Sequence, residues 1–509
     1  MPRQYVRGMV PAEGTGATTS APDSSDTSGQ TVRISADAQP EAPPDGAPSA
    51  LPGVVRIGYG LGSFGTGIFG AVPGLLLLYY LTDVLGVTPL VAGVVVFLPK
   101  AWDAVANPYT GSLSDRTDHR WGPRRPWMLG GALTLPFFFA AMFAGPPLTG
   151  NWAALYVGCM YLLAATAFAA FQVPYIAMPA EITTDHHERT RMMAWRVAFL
   201  SFAIMLSGGI APLIAGHSGD DDPGTLDGYR VMGVALGVLL MAGMLAAFFT
   251  TARARTVVRA EAGERSILKQ LAVARTNRSF MNLFGMYVIQ AVGAGSMLAG
   301  VQYFSTYVLD DPSATTWLFA ALVLPSIVVM PLWSRAALRF GKRAAAFAAS
   351  CCFLVAALLM TSADHVPAGV VYGITGIAGI GYAGMQMLPM SMIGDAVAAD
   401  AMVTGKRRAG VFTGVWTAGE MLGLALGAGI FALVLQVTGF VSSDADHRVP
   451  QPDAALSGVL FGFTLLPAVL LVLSMPFILR YDLTEEKLAE LRERHTPVPA
   501  PRATGEDTP

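Results

Sequence analysis

Residues 231–249 read VMGVALGVLLMAGMLAAFF, a continuous stretch without any charged side chain. An α-helix needs about 20 mainly apolar residues to cross the hydrocarbon core of a bilayer. Two further stretches, 70–81 and 129–143, have the same apolar character. Short segments of alternating polarity, which are typical of a membrane β-barrel, are not visible. These stretches therefore predict an all-α membrane protein.

The composition supports the same class. Of the 509 residues, 53% are hydrophobic and 13% are charged, whereas a soluble domain carries about 25% charged residues. A soluble chain of this kind would expose large apolar patches to water. No nucleophile–base pair, metal-ligand spacing or ATPase motif is present. We therefore expect no enzyme activity, no catalytic residue, no metal or cofactor and no nucleic-acid partner, and a transport process that runs on an ion gradient.

The apolar runs between polar breaks predict twelve membrane helices. They cover 55–80, 89–112, 126–146, 152–179, 193–215, 230–251, 280–308, 316–333, 344–361, 366–393, 410–438 and 455–479. The longest basic stretch follows the sixth helix and divides them into two pseudo-symmetric halves of six, the major facilitator architecture. The predicted parts are a disordered tail (1–53), an amino-terminal half (54–251), a cytoplasmic linker (252–279), a carboxy-terminal half (280–480) and a second tail (481–509).

The distribution of basic residues between alternate loops predicts the orientation. Twenty Lys and Arg residues fall on one side of the predicted membrane, and only Arg230 and Arg448 fall in the loops of the other side. Cytoplasmic loops carry the excess of Lys and Arg. We therefore expect a multi-pass protein of the plasma or inner membrane, with both termini in the cytoplasm.

The two halves share a short sequence pattern. Residues 172–181 and 386–395 each begin with Gln, pass through a Pro and reach an acidic residue nine positions later. Together with the loop charges, this similarity supports an internal repeat of six helices.

Helix two carries charged residues within its apolar stretch. A charge in the bilayer is costly, and it usually faces a cavity or lies on an ion pathway. Lys100 and Asp103 are three positions apart and share a helix face, on which Asn107 lies one turn further along. We interpret Asp103, with Asn107 and Lys100, as the site of a coupling cation or proton. The alternative is a purely structural Lys100–Asp103 ion pair.

Other polar residues within the spans are candidates for binding a polar solute between the halves. They are Gln172, Tyr175, Arg196, Gln386, Trp416 and Glu420. For Arg196 the alternatives are bracing of Glu181 or reaching to the cytoplasmic surface. Glu420 and the two glutamines are explained equally well as hydrogen bonds between helices.

The loop after helix two combines a small residue, an acid and several arginines. Such groups can latch helices in one conformation and release them in another, which suits a carrier with rocking halves. We interpret seven residues as this latch: Gly111, Asp115, Arg116, Arg124, Arg125, Glu181 and Asp395. The alternative is simple anchoring at the cytoplasmic surface.

At these residues the sequence resembles the glycoside–pentoside–hexuronide:cation symporter family of the major facilitator superfamily. The resemblance covers about 55–480. The matching stretches are Tyr59–Gly65, Tyr79–Asp83, Trp102-Asp103, Asn107-Pro108 with Gly111, Arg120–Gly122, Pro126-Trp127, Val173–Tyr175, Glu181, Glu188-Arg189, Arg196, Gly410–Phe412 and Trp416-Thr417.

The sequence departs from the family pattern at charged positions. The resemblance implies a cation site with two aspartates four apart on helix two, but the second is Asn107 here. The sugar-binding acids of helices one and four fall at Gly67 and Gln172, and the helix-eleven lysine falls at Met421. A single carboxylate suits a proton better than sodium, which prefers several oxygen ligands. Loss of both sugar-binding acids argues against recognition of ordinary galactosides.

The first functional hypothesis is a monomeric secondary transporter that couples a cation, H⁺ rather than Na⁺, to symport of a sugar-like or other polar organic solute. The second is an exporter of an amphipathic metabolite or drug-like compound, since the cavity has lost charges. The third is a receptor or structural subunit on a transporter scaffold, which would move no solute.

Overall fold

The computed structural model describes residues 51–183, 185–216, 226–252, 267–405, 408–444, 449–483, 486–488 and 490–491. The predicted amino-terminal tail up to residue 50, most of the linker and most of the carboxy-terminal tail lie outside these ranges. Twelve helices within them are long and apolar enough to cross a membrane. The predicted all-α, twelve-helix fold is therefore confirmed.

Eleven of the twelve helices are α-helices that follow the predicted spans, and the ninth of the twelve continues as a short 3₁₀ helix at Met360–His365. Most continue beyond the apolar stretch at the end where the basic loops lie. They are α2 (Pro89–Arg116), α3 (Arg125–Phe143), α4 (Gly150–Ile182), α5 (His186–Gly216), α6 (Leu226–Thr251), α7 (Arg278–Tyr307), α8 (Ala314–Phe340), α9 (Lys342–Leu359), α10 (Ala368–Thr404), α11 (Ala409–Val437) and α12 (Asp453–Arg480).

The first span, α1, is less regular. It begins as α-helix at Gly53–Leu61 and Ser63–Val72, and it continues as π-helical turns at Pro73–Leu77 and Tyr80–Val84. Pro73 has no N–H to bond the carbonyl four residues earlier, so the regular α-helical ladder is interrupted there. The interruption places Thr82 and Asp83 against the other half of the protein.

Three pairs of elements supply most of the contact between the halves. α2 packs against α11, α5 packs against α8, and the π-helical turn of α1 packs against α7. A short linker helix, Ile267–Ala274, lies against α11. Within the second half, α7 and α11 cross so closely that a Cβ at Gly427 would lie 2.1 Å from the carbonyl oxygen of Val292. Glycine is required there, because any larger residue would separate the helices.

The outward faces of the helices remain apolar. On α8, Val328 is 76% exposed and Leu338 is 80% exposed. A surface of this kind is stable only when a second apolar phase covers it. The lipid bilayer supplies that phase, so the chain is a multi-pass membrane protein.

Candidate functional site

The two ends of the helix bundle differ in charge. We call the end that carries Arg116, Arg124 and Lys342 the basic end, and the end that carries Asp83, Asp311 and Asp444 the acidic end.

A cavity of about 330 Å³ lies between the halves, bounded by α2, α4, α11 and the linker helix. Its α2 wall runs from Asp103 to Asp115, which at ~1.5 Å per residue is about 18 Å along the helix. Asp115 lies at the second-last position of α2, so the cavity reaches the basic end. Opposite α2, Gly414, Thr417 and Met421 of α11 complete the wall.

Asp103 lies at the inner end of this cavity. Its side chain is 3% exposed, and its Oδ1 has no hydrogen-bond partner. The Lys100 ammonium lies 5.7 Å from the centroid of the Phe69 ring, and no ion pair joins it to Asp103 in the described part of the chain. Thus Asp103 has neither the lysine pair proposed as an alternative nor contact with lipid.

Further oxygen atoms surround the Asp103 end of the cavity. Asn107 lines the same wall, and its Oδ1 also lacks a hydrogen-bond partner. Pro108 lies inside α2 and has no N–H to bond the carbonyl of Ala104, which lines the cavity too. On the opposite wall, Thr417 of α11 also lines the cavity. A proton or a small cation would meet one carboxylate and several neutral oxygens here.

Three of the predicted solute residues lie in the amino-terminal half, outside the cavity wall. The Tyr175 hydroxyl donates to the carbonyl of Tyr59 at 2.7 Å and lies 3.0 Å from the Ser63 hydroxyl. It therefore braces α4 against α1. Gln172 Oε1 and Arg196 Nε have no hydrogen-bond partner, so these two side chains retain groups for a ligand.

Arg196 does not brace Glu181, as one alternative supposed. Its guanidinium lies 5.9 Å from the centroid of the Tyr175 ring, while Glu181 accepts from Arg124 at 2.9 Å. The position over an aromatic face is a cation–π arrangement.

The other three predicted solute residues form a separate cluster in the carboxy-terminal half. The Tyr287 hydroxyl lies 2.7 Å from Oε1 of Glu420 and 2.9 Å from Oε1 of Gln386. The Trp416 ring stacks on Tyr287 at 4.1 Å between centroids. Glu420 and Gln386 therefore form the interhelical hydrogen bonds that the sequence left open as an alternative. In this conformation the predicted solute residues are not brought together on one cavity wall.

The predicted latch residues form ion pairs within each half. Arg124 contacts Asp115 at 2.5 Å, Glu181 at 2.9 Å and the Ser114 hydroxyl at 2.6 Å, which joins the ends of α2, α3 and α4. Lys342 contacts Asp395 at 2.6 Å, at the corresponding place between α9 and α10. Each half thus pairs the acid that ends its repeated pattern with a cation at the start of its third helix.

The remaining latch residues have different surroundings. Arg125 donates to the carbonyl of Phe248 at 3.1 Å, whereas Arg116 is exposed. A Cβ at Gly111 would contact only Val173, at 3.5 Å. The structure therefore gives Arg124 the central position in the cluster.

The acidic end is closed by contacts between the halves that the sequence analysis did not predict. Asp83 accepts a hydrogen bond from the Tyr307 hydroxyl, and the Thr82 hydroxyl lies 2.6 Å from that of Tyr303. Ser443 N donates to the carbonyl of Thr82 at 2.9 Å. Asp83 lies three positions beyond the end of the predicted first span, and Tyr303 and Tyr307 are uncharged, so no charge within a predicted span indicated this seal.

Close packing accounts for one departure from the family pattern. A Cβ at Gly67 would lie 2.7 Å from Cβ of Ala203 and 3.2 Å from the carbonyl oxygen of Leu200. The contact between α1 and α5 therefore leaves no room for a carboxylate at this position. Met421, by contrast, lies on the cavity wall.

Comparison with known proteins gives the family. The family described as MFS/sugar transport protein matches residues 58–485. A putative glycoside/cation symporter of Escherichia coli is 27% identical, over 85% of this chain and 92% of its own length. A sodium-dependent lysophosphatidylcholine symporter of Mus musculus is 24% identical, over 67% of this chain and 69% of its own.

Solved structures support the same fold. The crystal structure of a D-xylose–proton symporter superimposes with a TM-score of 0.59 at 13% sequence identity, covering 84% of this chain and 96% of that one. At this identity the likeness shows the fold alone. From the family match, together with the twelve helices, we conclude that this chain is a secondary transporter and not an enzyme, a member of the glycoside–pentoside–hexuronide:cation symporter family within the major facilitator superfamily.

Proposed function

We propose that the protein is a proton-coupled symporter of a sugar-like or other polar organic solute. The observation that carries this proposal is the position of Asp103, a buried carboxylate that lines a cavity between the halves and forms no ion pair with Lys100. A buried acid that faces a cavity is expected on an ion pathway. Asn107 would hold the ion beside it.

Protons fit this site better than sodium. The cavity offers a second carboxylate, Asp115, but Arg124 already neutralises it at 2.5 Å. Around Asp103 the other oxygens are neutral, so one negative charge would have to balance a metal cation. A proton needs only the carboxylate itself.

The solute would bind between the halves in a more closed conformation than the present one. Gln172 and Arg196 would contact it from the amino-terminal half, and Trp416 and Gln386 from the other half. The proposed orientation places the basic end and both termini in the cytoplasm, following the excess of Lys and Arg there. The cavity at the basic end and the seal at the acidic end then correspond to an inward-facing state of alternating access.

An exporter of amphipathic compounds is the second candidate. It is favoured by the apolar part of the cavity wall, which includes Ala104, Val173, Ala418 and Met421. The family scaffold is shared by both candidates, so the solute decides between them.

A ligand screen followed by counterflow tests the proposal. Purified protein is heated with sugars, glycosides and amphipathic metabolites, because a ligand that binds the folded state raises the melting temperature. The stabilising compounds are then used in counterflow with labelled solute in proteoliposomes. We expect counterflow of a polar solute. Stabilisation by amphipathic compounds alone, without counterflow of any polar solute, would contradict it.

A further inference from the structure

Glu420, Tyr287, Gln386 and Tyr382 form a hydrogen-bonded cluster. If Glu420 is ionised, the cluster lacks one of the protons that these hydrogen bonds require. The Tyr287 hydroxyl has a single proton, yet it lies 2.7 Å from Glu420 Oε1 and 2.9 Å from Gln386 Oε1. Gln386 Nε2 donates to the Tyr382 hydroxyl at 2.9 Å. Two acceptor oxygens therefore face one donor proton.

Two arrangements satisfy every member of this cluster. With Glu420 protonated, Glu420 donates to Tyr287, Tyr287 donates to Gln386, and Gln386 donates to Tyr382. With Glu420 ionised, the Gln386 amide turns over, donates to Tyr287 and accepts from Tyr382, while Tyr287 donates to Glu420. The direction of all three hydrogen bonds reverses, and none is lost. An amide is free to take either orientation, since its O and N atoms have nearly the same shape.

The charged groups around Glu420 fit reversible protonation. The groups facing it are Tyr287 on α7 and Tyr382 on α10. Asp103 on α2 lies across the cavity wall, and Gln270 of the linker helix is neutral. Within the described residues, no Lys, Arg or His forms an ion pair with Glu420. An ionised carboxylate without a neighbouring cation is energetically unfavourable inside a bilayer, and protonation removes that charge.

The cluster also lies next to the cavity. Thr417 and Met421, which lie three positions before and one position after Glu420 on α11, both line the cavity wall. Residues three apart share a helix face. Glu420 is itself only partly buried.

We propose that Glu420 is a second proton-binding site, separate from Asp103, and that the Gln386 amide and the Tyr287 hydroxyl reverse their hydrogen bonds when its proton enters or leaves. The step is a simple proton transfer between the carboxylate and cavity water. It goes beyond the proposed coupling at Asp103 and does not depend on which solute is carried.

Infrared difference spectroscopy of the purified, full-length protein tests this site without a known solute. Protonated carboxylic acids have a carbonyl-stretch band that disappears on ionisation and shifts in D₂O. Spectra at low and high pH are compared for the wild type, Glu420→Gln and Asp103→Asn. We expect a pH-dependent band that Glu420→Gln removes and Asp103→Asn retains. Glutamine preserves the shape and the hydrogen bonds of the cluster, and the melting temperature reports whether each variant is folded.

A second variant separates proton binding from a structural role. Tyr287→Phe removes the bridging hydroxyl but keeps Glu420, so the midpoint of its band should shift. Tyr80→Phe is the matched control, because it removes a buried tyrosine hydroxyl of the amino-terminal half, which donates to the carbonyl of Phe143 at 3.0 Å. A Glu420 band that does not change with pH, or a spectrum unchanged by Glu420→Gln, would overturn the proposal. Neither result would contradict the proposed function, because proton binding by Asp103 is tested separately with Asp103→Asn.

Discussion

Removal of the Tyr307 hydroxyl should open the acidic end of the protein. In the closed state this hydroxyl donates to the buried carboxylate of Asp83 across the interface between the halves. A hydrogen bond to a charged group contributes about 1.5–3 kcal/mol. In the open state water replaces the hydroxyl at the carboxylate, so Tyr307→Phe weakens the closed state alone. Because 1.4 kcal/mol is a factor of ten, the open population should rise about 10- to 150-fold.

Cysteine accessibility measures this shift directly. Leu298 of α7 lies against the π-helical turn of α1, and a Cβ at Gly74 would approach its Cδ2 to 2.9 Å. Leu298→Cys is introduced after replacement of the native cysteines, which are Cys159, Cys351 and Cys352. Labelling by a membrane-impermeant maleimide is then followed in intact cells, because the proposed orientation places the acidic end outside the cell. Tyr307→Phe should raise the labelling rate within the 10- to 150-fold range set by the lost hydrogen bond.

Tyr156→Phe is the matched control for this experiment. It removes a tyrosine hydroxyl at the same end, but that hydroxyl donates at 3.1 Å to the carbonyl of Ala141 within one half. Its labelling rate should equal that of the wild type. An equal rate in Tyr307→Phe would refute the idea that this hydrogen bond seals the acidic end.

Two further predictions concern the stability of the purified protein, measured as its resistance to denaturant. Arg124→Gln should cost about 3–5 kcal/mol, because it leaves the buried carboxylate of Glu181 without its cation. Replacement of the exposed Arg116 by Gln is the control, and an equal, small effect of both would contradict the central position of Arg124. Gly67→Asp should destabilise the fold by about 1–3 kcal/mol, because the new Cβ would overlap Cβ of Ala203. It should not restore sugar recognition. Gly70→Ala, which meets nothing within 4 Å, should be tolerated, and a stable Gly67→Asp protein would contradict the packing explanation.

Much of the fold could be predicted from the sequence, because the thickness of the bilayer sets the length of an apolar run. The described helices follow the predicted spans. The short similarity between 172–181 and 386–395 also has a structural counterpart, since Glu181 and Asp395 each pair with a cation beside the third helix of their half. The sequence pattern was therefore predictive where the two partners of an ion pair lie at the ends of neighbouring helices.

The candidate site was less predictable, because it depends on contacts between distant segments. The burial of Asp103 beside a cavity agrees with the expectation for a charge within a span. Nothing in the sequence, however, indicated that Tyr287 would bridge Glu420 and Gln386, which come from two other helices. Lys100 likewise satisfied the spacing for a pair with Asp103, yet its ammonium lies over Phe69. Spacing on one helix does not determine which neighbour a side chain faces.

Solute-driven proton movement tests the role of Asp103 most directly. The protein is reconstituted in sodium-free liposomes that contain a pH-sensitive dye, and a solute identified by counterflow is added outside. The wild type should acidify the interior. Asp103→Asn should abolish acidification while counterflow of the solute continues. Acidification that persists in Asp103→Asn, or wild-type transport that requires sodium, would contradict proton coupling through this carboxylate.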